Sequence, residues 1–213
     1  MNFYGHKALD KFLYEKYFLN QTSGLAIEAG AVDGLIYSNN KTLEEIGWKC
    51  INIEPNPVEF EKLVVNRPNS INIHAGLSDK DGISLFEVRS KAKNGHLTGE
   101  SGILPHLRTP GPDKTRRYGT TKSEVPTITY KSLIENYAIK EVDLFVLDVE
   151  GWETPVIKGM ERCDVLPRIF CIENLNVVPE DPAYYEKLIH AAFDGFYKKD
   201  SSCWLNDIYV RRV

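Results

Sequence analysis

The stretch Leu25-Ala26-Ile27-Glu28-Ala29-Gly30-Ala31-Val32-Asp33-Gly34 decides the architecture of this chain. An apolar run of strand length stops at Gly30, and glycine lets a backbone turn sharply and lets another group approach it closely. Beyond the turn, Tyr37, Leu43 and Ile46 recur at helical spacing, which predicts a helix ending at Gly47. The unit then repeats. Lys49 to Ile53 reads as strand, Pro55-Asn56-Pro57 as turn, Val58 to Asn66 as helix with Phe60 and Leu63 inward, and Ser70 to His74 as a third strand. Units of this length join parallel strands through crossover helices, so the expectation is an α/β domain with helices on both faces of a mostly parallel sheet.

Toward the N-terminus, Leu9, Phe12, Leu13 and Tyr17 predict an amphipathic helix over residues 7 to 19, inside an N-terminal cover of residues 1 to 22. Toward the C-terminus, residues 83 to 88 (ISLFEV) suit an accessory strand. From 89 to 124 periodicity fails while Gly, Pro, Lys, Arg, Ser and Thr accumulate, and a loop of that length in a compact domain is a lid, a binding loop or a disordered segment. Order returns at Thr127 to Tyr130, with a helix near Ser132 to Tyr137. Val142 to Leu147 is the strongest buried strand; it runs into Asp148-Val149-Glu150-Gly151, followed by a helix over Glu153 to Arg162. Arg168 to Ile172 is another strand, ending in Glu173-Asn174, and Pro182 suits the first turn of a helix reaching Ala192. Residues 195 to 213 read as two strands joined by a Ser-containing turn, an antiparallel pair at the sheet edge.

At 213 residues with 42% apolar content, the chain fits one domain, 1 to 213, with a single core. Lys+Arg 26 against Asp+Glu 30 gives a net charge of -4, which argues against retention on nucleic acid, although Arg108 to Arg117 is locally basic. The four cysteines have no C-x-x-C spacing, and no run approaches the ~20 apolar residues of a membrane span. The expectation is a protein of the reducing cytoplasm, without a leader. Nothing in the sequence sets an oligomeric state.

Gly30 and Gly34 after the first strand, with Glu54 at the end of the second, fit a nucleotide-like cofactor whose ribose hydroxyls need a carboxylate. A dinucleotide site would favour G-x-G-x-x-G, with pyrophosphate on the helix N-terminus. Here the spacing is G-x-x-x-G with Glu28 and Asp33 beside it, a setting that repels pyrophosphate and suits the cationic amino and sulfonium groups of S-adenosylmethionine. That argues against a nicotinamide-dependent dehydrogenase or epimerase. Asp148 and Glu150 should face the cleft beyond the strand ends, whereas Glu153 falls in the first helical turn, where a carboxylate complements the helix dipole. Asp148, Glu173 and Asn174 on adjacent strand ends offer a hard oxygen set for Mg2+ or Mn2+, the alternative being that Glu173 and Asn174 cap the strand or bind substrate. His96 and His106 in the long loop are candidate general bases. His74 suits packing or the adenine pocket with Ala75, Gly76 and Leu77. Tyr4, Tyr37 and Trp152 are candidates for lining the site or for packing.

The segments GHKALDKFLYEKYF, LAIEAGAVDGLIYSNN, GWKCINIEPNPVEFEKLVVNRP, HAGLSDKDG, VPTITYKSLI, VDLFVLDVEGWETPVIKGM and NDIYV together resemble the FkbM-type methyltransferases. The pairing of IEPNP with DVEGWE carries the resemblance. It implies a class I methyltransferase fold, a Rossmann-like sandwich whose seven-stranded, mostly parallel sheet has an antiparallel C-terminal strand. It also implies transfer of a methyl group from S-adenosylmethionine to oxygen, often on a sugar of a glycan or a glycosylated small molecule. Carried over by position, the cofactor residues would be Glu28, Gly30, Asp33, Gly34, Ser38 and Glu54, with Gly76 and Leu77 near the adenine. Asp148 and Glu150 would stand at the reaction centre with Asp148 also against the cofactor, and Ser101-Gly102 would precede the acceptor region. The chain departs from the pattern at Asn40 and at Val32, which replaces the middle glycine of the turn. Two further readings remain open at this level: a cofactor-binding module that has lost its chemistry, and methylation of nucleic acid or protein.

Overall fold

A computed structural model describes residues 1–91, 101–104, 118–174, 181 and 183–212, with the backbone alone at 90, 91 and 118–120. β1 (Leu25–Ala29) lies between β2 (Lys49–Ile53) and β8 (Leu144–Leu147). β3 (Ile71–Ile73) extends this sheet beyond β2, and β9 (Ile169–Glu173), β11 (Asn206–Arg211) and β10 (Tyr197–Cys203) extend it in that order beyond β8. β1, β2, β3, β8 and β9 are mutually parallel; β11 runs antiparallel to β9, and β10 antiparallel to β11. The α/β architecture with a seven-stranded, mostly parallel sheet and an antiparallel edge pair is the one expected.

The strand sequences explain why both faces are covered. In β8, Leu144 and Val146 point to one face while Phe145 and Leu147 point to the other, and all four are buried. β9 repeats the pattern with Ile169 and Cys171 against Phe170 and Ile172. One face packs against α4 (Tyr130–Asn136), α5 (Glu153–Met160) and α6 (Tyr184–Ala192) through Leu133, Val156, Ile157 and Ile189. The other packs against α1 (Leu9–Leu13), a π-helical turn at Tyr14–Phe18 and α2 (Lys41–Glu45) through Leu9, Leu13, Phe18 and Leu43. α3 (Pro57–Asn66) is capped by Asn56, whose Oδ1 accepts from the Val58 N–H at 3.1 Å.

Three expectations need correction. The helix expected from Tyr37 to Ile46 is confined to Lys41–Glu45, because Val32, Gly34 and Tyr37 all take positive φ and hold the preceding loop in turns. The N-terminal helix is not continuous over 7 to 19: Lys7 and Ala8 at φ 53° and 60° divide a 3-10 turn at His6–Ala8 from α1. The ends of the 89 to 124 stretch are strand. β5 (Gly82–Lys91) pairs antiparallel with β7 (Tyr118–Thr129), and β4 (Gly76–Ser78) and β6 (Gly102–Ile103) complete a second sheet of order β4-β7-β5-β6. Thr121, Lys122, Ser123 and Glu124 are polar on both faces, so β7 offers no apolar alternation until Val125. Phe86, Ile103 and Val125 form a small core of their own, against which Trp152 packs.

Candidate active site

Register brings the acidic residues together. β1 sets Ala29 beside Leu147, and β8 sets Leu147 beside Ile172, so one residue further on Asp148 and Glu173 come level on adjacent strand ends. Counting by two along each strand places Glu28, Glu54, Asp148 and Glu173 on the face that carries Ala26, Cys50, Val146 and Cys171. A cavity of 360 Å³ opens beyond these ends, where the sheet order reverses between β1 and β8. Among the described lining residues are six carboxylic acids, Glu28, Glu54, Glu59, Asp148, Glu150 and Glu173, and no Lys or Arg.

The glycine turn forms one wall. Gly30 has φ +87°, and a Cβ there would lie 1.9 Å from the Asp148 carbonyl oxygen, so only glycine lets β1 and β8 close at this level. Glu54 accepts from the Val32 N–H (2.8 Å) and the Asn56 N–H (2.7 Å), and burial pushes its carboxyl up to about 8. Glu28 accepts from the Asn39 N–H (2.6 Å) and the Ser38 hydroxyl (2.9 Å); burial raises its pKa against those hydrogen bonds.

Asp33, Gly34 and Ser38 shape the loop and do not line the cavity. Asp33 Oδ1 accepts from the Leu35 and Ile36 N–H groups at 2.9 and 2.8 Å, and Gly34 packs on Leu63 and Arg67. Arg67, which composition did not single out, is fully buried; it pairs with Glu44 at 2.8 Å and donates to the Gly34 carbonyl, Ser38 Oγ and Asn40 Oδ1. Its only sequence signal is a cation at the end of an otherwise amphipathic helix.

Ala75, Gly76 and Leu77 line the far end of the cavity with Phe86, Ser101, Gly102, Ile103 and Trp152. His74 does not: its ring stacks on Phe60 at 4.8 Å, and its Nε2 lies 3.1 Å from the Pro55 carbonyl. Tyr4 is likewise elsewhere, donating to Glu45, whereas Tyr37 and Trp152 are in the wall. His6, Trp204, Leu205 and Asn206 also line it, a contribution that sequence reading missed. An aromatic residue in the Ser-containing turn of the C-terminal hairpin was the available signal.

At the near end, Asp148, Glu150 and Glu173 each place a carboxylate oxygen within 4.8 Å of the others. Burial raises the pKa of both Asp148 and Glu173, which hydrogen-bond to each other, and the negative charge of Asp148 raises Glu173 further. Glu150 has φ +55° and is followed by Gly151 at φ +102°, a turn templated by Glu153. Glu153 Oε1 accepts from the Val149 and Gly151 N–H groups, both at 3.2 Å, and its Oε2 accepts from the Tyr185 hydroxyl at 2.9 Å. Its structural reading holds, through these bonds as well as its place at the helix start. Asn174 is directed elsewhere: its amide donates to Asp207 at 2.8 Å and its N–H to the Leu205 carbonyl at 2.6 Å. Asp148, Glu150 and Glu173 thus bring carboxylate oxygens together, while the amide nitrogen of Asn174, the third member of the expected trio, bonds to Asp207. His96 and His106 lie outside the described residues.

The model of the methyltransferase FkbM domain matches residues 28–186, and the chain belongs to that family. No curated protein matches the sequence. Among solved structures, the ribosomal protein L11 methylase of Lactobacillus delbrueckii subsp. bulgaricus is similar with 10% identity and a TM-score of 0.46, over 97% of this chain and 78% of that one. No helix among the described residues is long and apolar enough to cross a membrane.

Proposed function

We propose that the protein is an S-adenosylmethionine-dependent O-methyltransferase whose acceptor is a hydroxyl, first of all on a sugar of a glycan or glycosylated small molecule. The cavity's charge carries the reading: six carboxylic acids and, among the described lining residues, no Lys or Arg. A buried pyrophosphate would find no cation to pair with there, whereas a sulfonium and an α-ammonium group would favour the ionised form of these acids. When bound, S-adenosylmethionine supplies an electrophilic methyl group on cationic sulfur.

The residues present suit that donor. Glu54 would hold the ribose hydroxyls, since each of its oxygens accepts one N–H and keeps a lone pair for a further donor. Gly76 and Leu77 would lie against the adenine. Gly30, Glu28 and Asp148 would border the methionine end, with Asp33, Gly34 and Ser38 fixing the loop behind them. The Asp148–Glu173 pair would take the proton of the acceptor hydroxyl, and Glu150 would orient it, so that proximity supplies much of the rate. The same three carboxylates are a donor set that Mg2+ or Mn2+ would accept, and a cation there would lower the pKa of the hydroxyl.

The test uses S-adenosylmethionine labelled in its methyl group, with a panel of methyl glycosides and simple alcohols as acceptors. Label recovered as a methyl ether is expected; label found only in added RNA or protein would contradict the reading. Activity unchanged by EDTA assigns proton removal to the carboxylates alone. Activity lost to EDTA and restored by Mg2+ assigns the cluster to a metal.

A further inference from the structure

Tyr37 and Trp204 line the cavity while remaining 60% and 62% exposed. Both also hold left-handed backbone, φ 61° and 56°, a conformation that costs free energy for a bulky residue. Of the nine non-glycine residues with positive φ among those described, four (Val32, Tyr37, Glu150 and Trp204) line this one cavity. Strain and exposed aromatic surface therefore coincide at the site, and neither serves the core. The two-residue turn between Cys203 and Asn206 itself calls for positive φ at Trp204, but not for an indole where glycine or asparagine is the ordinary choice.

Placement ties both rings to the acidic cluster. Trp204 sits in the turn between β10 and β11; Asn206 pairs with Glu173, and Leu205 accepts from the Asn174 N–H, so the turn stands beside the Asp148–Glu173 pair. Across the mouth, Tyr37 forms a β-bridge with Gly5, and its ring lies 4.8 Å from that of His6. Lys7 Nζ lies 4.8 Å from the centroid of the Trp204 ring. Consecutive residues of the N-terminal segment thus contact the two rings, one each.

We infer that Trp204 and Tyr37 are the residues that orient the acceptor, which enters between the N-terminal segment and the β10–β11 turn. This deepens the O-methyltransferase reading and rests on it. Lys7 occupies one face of the indole, and the acceptor stacks an apolar face against the remaining ring surface. Its hydroxyls then donate to the carboxylates of Asp148, Glu150 and Glu173, while anionic acceptors are excluded by the same charges. A pyranose has both parts, a C–H face and a rim of hydroxyl donors. The sequence places the acceptor region in residues 89 to 124; the inference adds stacking surfaces from the loop after β1 and from the β10–β11 turn.

Saturation-transfer NMR on protein loaded with S-adenosylhomocysteine tests this, with the methyl pyranosides of glucose, galactose and rhamnose as probes. Transfer to ring C–H protons is expected for at least one probe with the native protein. Trp204→Ala should weaken that probe's binding roughly tenfold, Tyr37→Ala should weaken it less, and Trp204→Phe should recover most of it. Titration calorimetry should find S-adenosylhomocysteine affinity unchanged in the two Trp204 variants, which also reports that they are folded. Absence of transfer from every probe, or equal transfer in Trp204→Ala, overturns the platform while leaving the methyl-donor reading intact. Failure of the native protein to bind S-adenosylhomocysteine overturns both.

Discussion

Gly30 combines φ +87° with a Cβ position 1.9 Å from the Asp148 carbonyl, and the atom in the way is backbone, which no rotamer change can move. Gly30→Ala should therefore lower the unfolding free energy by at least about 3 kcal/mol, read from urea denaturation. A loss below about 1 kcal/mol, or a gain such as glycine-to-alanine changes give where the backbone permits them, would contradict this contact. Asp148 is a different case, because its replacement keeps the shape. Asp148→Asn should cut kcat about 100-fold or more while S-adenosylhomocysteine affinity changes only a few-fold, since it removes a proton acceptor. At this scale the sequence made the place of Gly30, Glu54, Asp148 and Glu173 at the cavity legible, because residue type and position at a strand end suffice to locate them. It did not reveal the tertiary hydrogen bond from Asn174 to Asp207, and it overlooked Trp204, which lines the cavity because the pairing of Asn206 with Glu173 sets the hairpin turn beside it.

The loop from Ala31 to Asn40 is held as one element by Arg67. Its guanidinium satisfies Glu44, the Gly34 carbonyl, Ser38 and Asn40, while an amide chain continues from Asn40 to Asn52 (2.9 Å), from Asn52 to Asn72 (2.9 Å) and from Asn72 to the Arg67 carbonyl (2.8 Å). Arg67→Ala would leave the half-buried Glu44 carboxylate to Lys41 and Ser70 and would take a donor from the Gly34 carbonyl, Ser38 and Asn40, and should cost about 3 kcal/mol in denaturant unfolding. Arg67→Lys should recover only part of that, because an ammonium cannot reproduce the planar fork that spans these acceptors. Both variants should also weaken S-adenosylhomocysteine binding, since Ser38 and Asn39 position Glu28. The strands were legible because burial on both faces leaves continuous apolar runs. The loop was not, since its shape follows from positive φ at Val32, Gly34 and Tyr37 and from a buried cation contributed by α3. β7 escaped notice for the opposite reason, a polar stretch carried into a sheet by its pairing with β5.

Across the whole molecule, the gathering of acids at one end of the sheet has a stability consequence. Burial raises the pKa of Glu28, Glu54, Asp148, Glu153 and Glu173, with Glu54 reaching about 8 from an ordinary 4.5. Between those limits the folded protein keeps protons that the unfolded chain has released, so stability falls as pH rises through the window. Asp207 is opposite in sign: burial opposes ionisation, but bonds from Lys199, Ser202 and Asn174 prevail and hold its pKa low, so its contribution is lost as pH falls below about 4. The apo protein should show its highest Tm near about pH 5 and a decline toward pH 8, with Glu54→Gln flattening the decline. A Tm that climbs steadily from pH 5 to 8 would contradict the buried-acid cluster. A ligand carrying positive charge should offset the decline, which links the stability profile to the identity of the donor.

Titration calorimetry of S-adenosylhomocysteine into the purified protein tests the central claim most directly, with NAD and the Glu54→Ala variant as controls. Saturable 1:1 binding of S-adenosylhomocysteine, no binding of NAD, and a loss of about 1 to 3 kcal/mol in Glu54→Ala are the predicted results. Binding of NAD with none of S-adenosylhomocysteine would contradict the account.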